Sequence, residues 1–524
     1  MLNILFAGLV GCTMVTTTSC SEESFDGDPA KNWAGTTESF VPTDEAGFLT
    51  YYNPAIGRCG DPMPFFDPKA GEFKVLYLQE YDVNPPCYHP FWGVATKDGA
   101  NYQPMGEVLP TGTSVEEADA ALGTGCAYYN EQDGLYYIYY TGHTRKEVVL
   151  RATSPDFKTW TKDYSWMLQG SDYGYSDTDF RDPQIFKADD GFYHMVISSK
   201  LRFADFKSSD LKNWEHVGGF NMVWDRMCEC PDIFQMGNYW YLVYSEGFRT
   251  SWSRKVKYMM ADSFEGLKRC FDDPGANWPK DGREGVLDSR AFYAGKTASN
   301  GTDRYIWGWC PFRTGATIDE KNINVGAGDG NEPNWSGALV CHRIIQHADG
   351  TLSLGEVPAI RAKYGKEQEV KVMASNGFAN NTLSGDDAYV LYNRLGFHNH
   401  ISLTVKTAAD GDKFGISLVR GSDSKMYYTM VFNPEDGDAN RKVNFEQEGA
   451  EGKGFIEGID GYKFQRPADN TYKIDIYTDN SVMVMYVNDN VCYTNRIYGI
   501  QKNCWSVNSY GGTITVNDVK VSAY

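Results

Sequence analysis

The sequence lacks the patterns that mark helical, disulfide-bonded and nucleic-acid-binding proteins. Helical periodicity is nearly absent between residues 50 and 360, where Glu116 to Leu122 is the one short helical candidate, so we predict an all-β domain. The 12 cysteines contain no C-x-x-C pair and no spacing typical of a disulfide framework or a zinc site. Acidic residues (69) outnumber Lys and Arg (49), which gives a formal charge of −20. Because nucleic-acid phosphates require a basic surface, we expect no nucleic-acid partner.

The N-terminal region also lacks an apolar run long enough to span a bilayer, since Ile4 to Val10 is too short. This run leads to Thr17-Thr18-Ser19-Cys20, which resembles the end of a bacterial lipoprotein signal. We therefore expect residues 1–20 to be a signal peptide and Cys20 to be lipidated, with an ordinary cleaved signal peptide as the alternative. Residues 21–45 are polar and predict a tether. The expected location is outside the cytoplasm, on a lipid anchor at the outer membrane, cell surface or periplasm.

What the sequence does contain is a repeated unit in which an acidic residue and a proline precede a phenylalanine and an aromatic strand. The three clearest copies begin at Asp61, Asp182 and Glu229, and weaker copies begin near Gly125 and Asp288. Repeats of about 50 residues that hold several short strands are typical of four-stranded propeller blades. Residues 46–360 are thus predicted to form a five-bladed β-propeller, with the first residues of the innermost strands facing a central pocket.

The pattern changes after Leu354. Residues 361–369 carry a run of charged side chains and predict a linker. Residues 370–524 alternate apolar and polar positions, which predicts a second all-β unit of the β-sandwich type.

Acidic residues that recur at one point of a repeat are candidates for glycosidic-bond hydrolysis. That reaction needs one carboxyl group to protonate the leaving oxygen and a second to act as nucleophile or to activate water. We therefore expect Asp61, Asp182 and Glu229 to converge at the centre of the propeller. Trp307 and Trp309 are candidates for stacking on substrate, although a tryptophan in a blade strand is more often a core residue.

The order Asp61-Pro62, Arg181-Asp182-Pro183 and Glu229-Cys230-Pro231 resembles glycoside hydrolase family 32, the β-fructosidases. The resemblance extends to segments 77–79, 92–98, 288–294 and 335–338. It implies a retaining hydrolase that acts on levan, inulin or fructo-oligosaccharides through a covalent fructosyl-enzyme. Asp61 would be the nucleophile, Glu229 the general acid/base and Asp182 the stabiliser of the transition state. The same resemblance implies that four residues bind substrate: Gln79, Trp92, Thr124 and Arg181. It also implies that no metal or other cofactor is needed.

The sequence departs from this family around the nucleophile. The family usually has Trp-Met-Asn-Asp-Pro-Asn-Gly there, whereas this chain has Arg58-Cys59-Gly60-Asp61-Pro62-Met63-Pro64. Two other functions therefore remain open at the level of sequence. One is another five-bladed glycosidase, similar to arabinanases or xylosidases, which usually invert configuration. The other is a surface lipoprotein that binds glycans without cleaving them.

Overall fold

The computed structural model describes residues 47–81, 87–222, 228–246, 255–272, 284–311, 335–420, 426–437, 442–446, 457–459, 464–497, 500 and 504–524. The predicted signal peptide, Cys20 and the predicted tether lie outside these residues. Within the described ranges the chain is built almost wholly from β-strands, as the sequence predicts.

Five four-stranded antiparallel blades follow one another from residue 58 to residue 355, and blades 5 and 1 are joined into one eight-stranded sheet. Blade 1 contains β1 (Arg58–Asp67), β2 (Glu72–Glu80), β3 (Phe91–Thr96) and β4 (Gln103–Leu109). Blade 2 contains β5 (Leu122–Asn130), β6 (Leu135–His143), β7 (Glu147–Ser154) and β8 (Thr161–Gln169). Blade 3 contains β9 (Arg181–Lys187), β10 (Tyr193–Ser199), β11 (Arg202–Ser208) and β12 (Glu215–Asn221).

The remaining two blades complete the ring. Blade 4 contains β13 (Cys228–Met236), β14 (Tyr239–Glu246), β15 (Val256–Ala261) and β16 (Glu284–Val286), with helix α1 (Phe264–Asp272) after β15. Blade 5 contains β17 (Tyr293–Ser299), β18 (Arg304–Pro311), β19 (Gly337–Gln346) and β20 (Leu352–Gly355). Blades 5 and 1 join where Cys59 pairs with Gly337 and Tyr52 pairs with Leu339. The predicted five-bladed propeller is thereby confirmed.

Strand β6 shows why aromatic strands suit this architecture. Tyr136, Ile138 and Tyr140 pack into the apolar cluster between blades 1 and 2. Tyr137 and Tyr139 point the other way, into the cluster between blades 2 and 3. Successive side chains of a strand face opposite sides, and a blade strand is covered on both sides by its neighbours. Both sets of positions are therefore large and apolar.

The helical expectation for Glu116 to Leu122 is wrong. The segment forms single turns, in which Glu117 N–H donates to Ser114 O and Ala120 N–H donates to Glu117 O, and β5 begins at Leu122. Gly112 N–H donates to the carbonyl of Asp119, and that bond folds the segment back on itself. The longer helix of the described structure is α1, which packs against β12, β14 and β15.

Residues 366–523 form two packed sheets, which confirms the predicted β-sandwich. Helix α2 (Pro358–Arg361) precedes it. One sheet contains β21 (Lys366–Gln368), β23 (Phe378–Ala379), β24 (Thr382–Ser384), β26 (His398–Thr407), β31 (Thr471–Asp479), β32 (Val482–Val487), β33 (Val491–Arg496) and β35 (Thr513–Ala523). The other contains β22 (Val372–Asn376), β25 (Ala388–Arg394), β27 (Phe414–Arg420), β28 (Met426–Phe432), β29 (Val443–Glu446), β30 (Glu457–Ile459) and β34 (Cys504–Ser509).

The segment predicted as a linker, 361–369, includes the end of α2 and all of β21, which pairs with β35 of the sandwich. The two units share one apolar cluster, in which Tyr477, Val484 and Tyr486 of the sandwich pack against blades 1 and 5. None of the helices in the described ranges is long and apolar enough to cross a membrane.

Candidate active site

Each innermost strand carries an irregularity near the end where it enters the central channel. The pairing register shifts at residues 59–62 of β1, 123–125 of β5, 181–184 of β9, 229–232 of β13 and 293–296 of β17. Such a bulge leaves residues outside the hydrogen-bond ladder and changes the direction of their side chains, and it also tolerates proline. The repeated acid and proline of the sequence are therefore the local signature of a bulge. Asp61, Thr124, Asp182 and Glu229 all lie in these bulges.

Asp182 sits in an unusual backbone conformation that its neighbours fix. Its φ is 61°, in the left-handed region, and Cys230 has a φ of 50°. The Thr124 hydroxyl and the Cys230 N–H (2.8 Å) donate to the two oxygens of the Asp182 carboxylate. The Asp182 N–H donates to the Thr141 hydroxyl at 3.1 Å. Backbone strain of this kind persists only where surrounding contacts impose it, and here the contacts come from blades 2 and 4.

Asp61 accepts a hydrogen bond from the indole N–H of Trp309 at 2.8 Å. Withdrawal from water raises the pKa of Asp61 to about 7, and the nearby carboxylates of Asp182 and Glu229 raise it as well. The Trp309 hydrogen bond and the ammonium of Lys296 act in the opposite direction. Asp61, Asp182 and Glu229 thus interact electrostatically in the folded protein. In the sequence they are 121 and 47 residues apart (182 − 61 and 229 − 182).

Glu229 is held by two donors. Arg181 Nη2 lies 3.0 Å from one carboxylate oxygen, and the Tyr293 hydroxyl donates to the other at 2.8 Å. Arg181 is in turn bound by Glu147 (3.1 Å) and Asp179 (2.9 Å). Burial lowers the pKa of Arg181, but the surrounding carboxylates outweigh burial and raise it above its ordinary value. The guanidinium therefore stays charged beside Glu229.

The four predicted substrate-binding residues differ in whether they contact these carboxyl groups. Thr124 and Arg181 contact Asp182 and Glu229 directly. Gln79 is buried, and its amide nitrogen donates to the carbonyl oxygens of Ile56 (2.7 Å) and Glu80 (3.2 Å), so it fastens the chain that enters β1. Trp92 lies on β3, two strands outward from Asp61, with its ring 6.3 Å from that of Tyr81. Substrate contact by Gln79 and Trp92 stays a prediction.

Sequence reasoning missed four residues of this network: Tyr293, Trp309, Glu147 and Lys296. Tyr293 lies in the segment 288–294 that carries part of the family resemblance, so a signal for it existed. Trp309 is fully buried, as a core residue should be, yet it donates to Asp61. Glu147 and Lys296 had no sequence signal, because their partners come from other blades.

Two clusters elsewhere combine side chains of metal-binding type. His398 and His400 share a strand face, but each pairs with its own carboxylate, Asp479 and Asp475, at 2.7 Å. Between the propeller and the sandwich, Asp288, His342 and Cys492 lie close together and fully buried. Hydrogen bonds close this second cluster: Thr494 donates to Asp288 and the Tyr486 hydroxyl lies 2.7 Å from His342 Nδ1. Both clusters are accounted for by protein hydrogen bonds.

Comparison with protein families gives two matches that together span most of the chain. The model described as the glycosyl hydrolases family 32 N-terminal domain matches residues 52–356. The model described as the GH32, BT1760-like, C-terminal domain matches residues 350–521. The boundary between the two matches falls where β20 ends and α2 begins.

Individual relatives are distant. A levanbiose-producing levanase of Bacillus subtilis is 22% identical over 493 residues, 88% of this chain and 87% of that enzyme. A levanbiose-producing levanase of Geobacillus stearothermophilus is 26% identical over 49% of this chain, and the match spans 62% of that enzyme, just under two thirds. Among solved structures, the exo-inulinase of Aspergillus awamori superimposes with a TM-score of 0.67 at 15% identity, covering 93% of this chain and 98% of that chain. The fructan 1-exohydrolase IIa of Cichorium intybus gives 0.64 at 14% identity, covering 91% and 97%. These two structures share the fold.

Proposed function

This chain belongs to glycoside hydrolase family 32, and from that membership we propose that Asp61, Asp182 and Glu229 carry out its reaction on a fructan. The enzyme hydrolyses β-fructosyl linkages with retention of configuration, the reaction of the family. The observation that carries the assignment of residues is the convergence of the three carboxyl groups in the bulges of β1, β9 and β13.

The proposed reaction has two steps. Asp61 attacks the anomeric carbon of the fructosyl unit while Glu229 gives its proton to the departing oxygen, which forms a covalent fructosyl-enzyme. In the second step Glu229 takes a proton from water, and that water displaces Asp61. The positions of Arg181 and the Tyr293 hydroxyl support the role of Glu229, because each binds one of its two oxygens and so fixes its orientation.

Asp182 is proposed to hold sugar hydroxyl groups while positive charge develops on the ring. Both of its oxygens already accept hydrogen bonds, from Thr124 and from the Cys230 N–H, so its carboxylate cannot rotate freely. A carboxylate oxygen can accept more than one hydrogen bond, and a fixed acceptor needs no reorientation when the transition state forms.

For the substrate we propose levan ahead of inulin or sucrose. The support comes from the two levanases among the curated relatives, one of which aligns over 87% of its length. The test is to incubate the purified protein with levan, inulin and sucrose and to separate the products. We expect fructose or fructo-oligosaccharides from levan at the highest rate. Failure to release product from any of the three would remove the fructan proposal, and tight levan binding with no product over days would favour a non-catalytic glycan-binding protein.

Stereochemistry gives a second test of the same proposal. NMR spectra recorded in the first minutes of hydrolysis report which anomer of the product forms before mutarotation. Retention predicts the anomer that the substrate had. The opposite anomer would indicate direct attack by water and would overturn the role of Asp61 as nucleophile.

We also propose that the protein is exported and anchored by lipid on Cys20, at the outer membrane, the cell surface or in the periplasm. The support is the segment Thr17-Thr18-Ser19-Cys20 and the polar stretch that follows it. Cells that express the full chain with a radiolabelled fatty acid should yield labelled protein in the membrane fraction. Cys20→Ala should lose the label. Label that persists in Cys20→Ala, or wild-type protein found only in the soluble fraction, would contradict the anchor.

A further inference from the structure

The floor of the candidate active site contains a buried cation. Lys296 lies on β17, the innermost strand of blade 5, and only 3% of the residue is exposed. Its Nζ lies 3.2 Å from the carbonyl oxygen of Gly125, on the innermost strand of blade 2. Blade 1 stands between blades 5 and 2 in the ring, so this contact joins two blades that are not neighbours.

The contacts of Gly125 connect this ammonium to the strands that carry the carboxyl groups. Gly125 follows Thr124, whose hydroxyl donates to Asp182. The Gly125 N–H donates to the sulfur of Met63, two residues after Asp61. Lys296 therefore reaches the point where the strands that carry Asp61 and Thr124 meet.

On its other side Lys296 faces a second compartment of the channel. A cavity of about 600 Å³ continues between the innermost strands of all five blades, and both Lys296 and Asp232 line it. Asp232 is buried, and its carboxylate accepts from the Thr297 N–H at 2.7 Å and from the amide of Gln184 at 3.2 Å. Lys296 thus lines this cavity together with Asp232, and its positive charge also acts on Asp61.

Asp61 needs such a cation more than its neighbours do. Charged groups face it from three elements: Asp182 from β9, Glu229 from β13 and Lys296 from β17. Arg181, the guanidinium of the site, is engaged by Glu229, Glu147 and Asp179. Two of the three charges that act on Asp61 are negative, and a buried carboxylate among like charges tends to take up a proton. A protonated Asp61 cannot attack the sugar.

We propose that Lys296 is a positioning residue for the reaction, whose buried ammonium favours the ionised form of Asp61, the form that makes the nucleophilic attack. This inference rests on the proposed function, in which Asp61 is the nucleophile. The Lys296 ammonium is buried and donates to the Gly125 carbonyl. Its effect on the reaction passes through the charge of Asp61.

The test compares Lys296→Met, Lys296→Gln and Lys296→Arg with Lys162→Met. Lys162 is the control, because it is another lysine with little exposure in a blade, where it pairs with Asp119 at 2.5 Å on the outer strand β8, away from Asp61. The measurement is kcat/KM against pH on the fructan that the wild type cleaves. Loss of a nearby opposite charge raises the pKa of a carboxyl group. We therefore expect the acid limb of Lys296→Met and Lys296→Gln to move to higher pH, while Lys296→Arg and Lys162→Met keep the wild-type limb.

A second readout separates this inference from the proposed function. Difference infrared spectra during a pH titration follow the carbonyl band of a protonated carboxyl group, and Asp61→Asn identifies the band of Asp61. This band should appear at higher pH in Lys296→Met than in the wild type, whether or not any fructan is cleaved. If both neutral variants lose activity or stability with an unchanged acid limb and an unchanged Asp61 band, then Lys296 has a structural role only and the inference is wrong. A wild type inactive on every β-fructoside would refute the proposed function while leaving the spectroscopic test intact.

Discussion

Replacing the proposed nucleophile by its amide should make the protein more stable at neutral pH. Asp61→Asn keeps an oxygen that can accept the Trp309 N–H, which lies 2.8 Å from Oδ1 in the wild type. It removes a carboxylate that burial and the charges of Asp182 and Glu229 disfavour. Function requires that charge, whereas folding does not, so we expect activity and stability to change in opposite directions.

The size of the effect follows from the pKa of Asp61, which is about 7 in the folded protein. An unfolded aspartate titrates near 4, so the difference is about 3 units, and at 1.36 kcal/mol per unit the upper limit is about 4 kcal/mol. Because the Asp61 residue is half-buried rather than fully buried, solvent screens part of this effect, and we expect about 1–3 kcal/mol. The folded protein binds the additional proton between about pH 4 and pH 7, and therefore the wild type loses stability as pH rises through that window. The advantage of Asp61→Asn should be near zero at pH 4 and constant above about pH 7.

The assay is thermal unfolding of both proteins at a series of pH values from 4 to 9. Asp61→Asn should have the higher melting temperature above pH 7, with a loss of turnover of about 10⁴-fold or more. Glu229→Gln is the matched control, since it should also abolish most turnover without unfolding the protein. Its carboxylate binds Arg181 and Tyr293, so its replacement should lower the melting temperature.

Two results would refute this reasoning. If Asp61→Asn were less stable than the wild type at pH 8, the Asp61 carboxylate would stabilise the fold. Repulsion from Asp182 and Glu229 would then not be the dominant influence on Asp61. If the difference between the proteins did not change from pH 4 to pH 8, then the titration of Asp61 would not be its source.

Three further predictions concern the groups around the site and the contact between the two domains. Trp309→Phe removes the N–H that binds Asp61. Because a hydrogen bond to a charged group contributes about 1.5–3 kcal/mol, kcat/KM should fall about 10- to 100-fold. An unchanged kcat/KM would show that this hydrogen bond has no part in the reaction. Glu147→Gln weakens the ion pair with Arg181, whose Nη1 lies 3.1 Å from Glu147. Steady-state kinetics should therefore show a fall in kcat with KM nearly unchanged. A rise in KM alone would contradict this role of Glu147. Asp479→Ala leaves the backbone N–H groups of Leu49, Thr50 and Tyr51 without their carboxylate acceptor. In urea unfolding, the free energy of unfolding should fall by about 3 kcal/mol or more. A fall below about 1 kcal/mol would mean that water replaces the carboxylate.

The positions of the three acidic residues could be predicted because the signal is local and repeated. A bulge with a proline has a recognisable sequence, and five units of similar length indicate a closed ring. In a ring, equivalent residues of each unit must face the axis, so convergence follows from repetition alone. The aromatic strands were equally predictable, because a strand packed between two blades needs apolar side chains on both faces.

The partners of these acids could not be predicted, because each depends on pairing between distant strands. Trp309 stands opposite Tyr293 in the β17–β18 ladder, and this register brings the indole to Asp61 and the phenol to Glu229. A tryptophan in an aromatic strand indicates core, and Trp309 is indeed fully buried. Its hydrogen bond to Asp61 depends on the closure of the ring, which brings blade 5 against blade 1.

The changed residues before the nucleophile also have a spatial explanation. Gly60 stands where the family usually has asparagine, and a Cβ atom at this position would lie 2.4 Å from Cη2 of Trp335. Trp335 stacks on His89 with ring centroids 4.7 Å apart, and His89 binds Glu80 at 2.9 Å. An asparagine at position 60 would therefore collide with a ring that two other segments hold in place. Gly60 and Trp335 therefore form a coupled pair, in which an aromatic ring occupies the space beside the proposed nucleophile that an asparagine side chain would need.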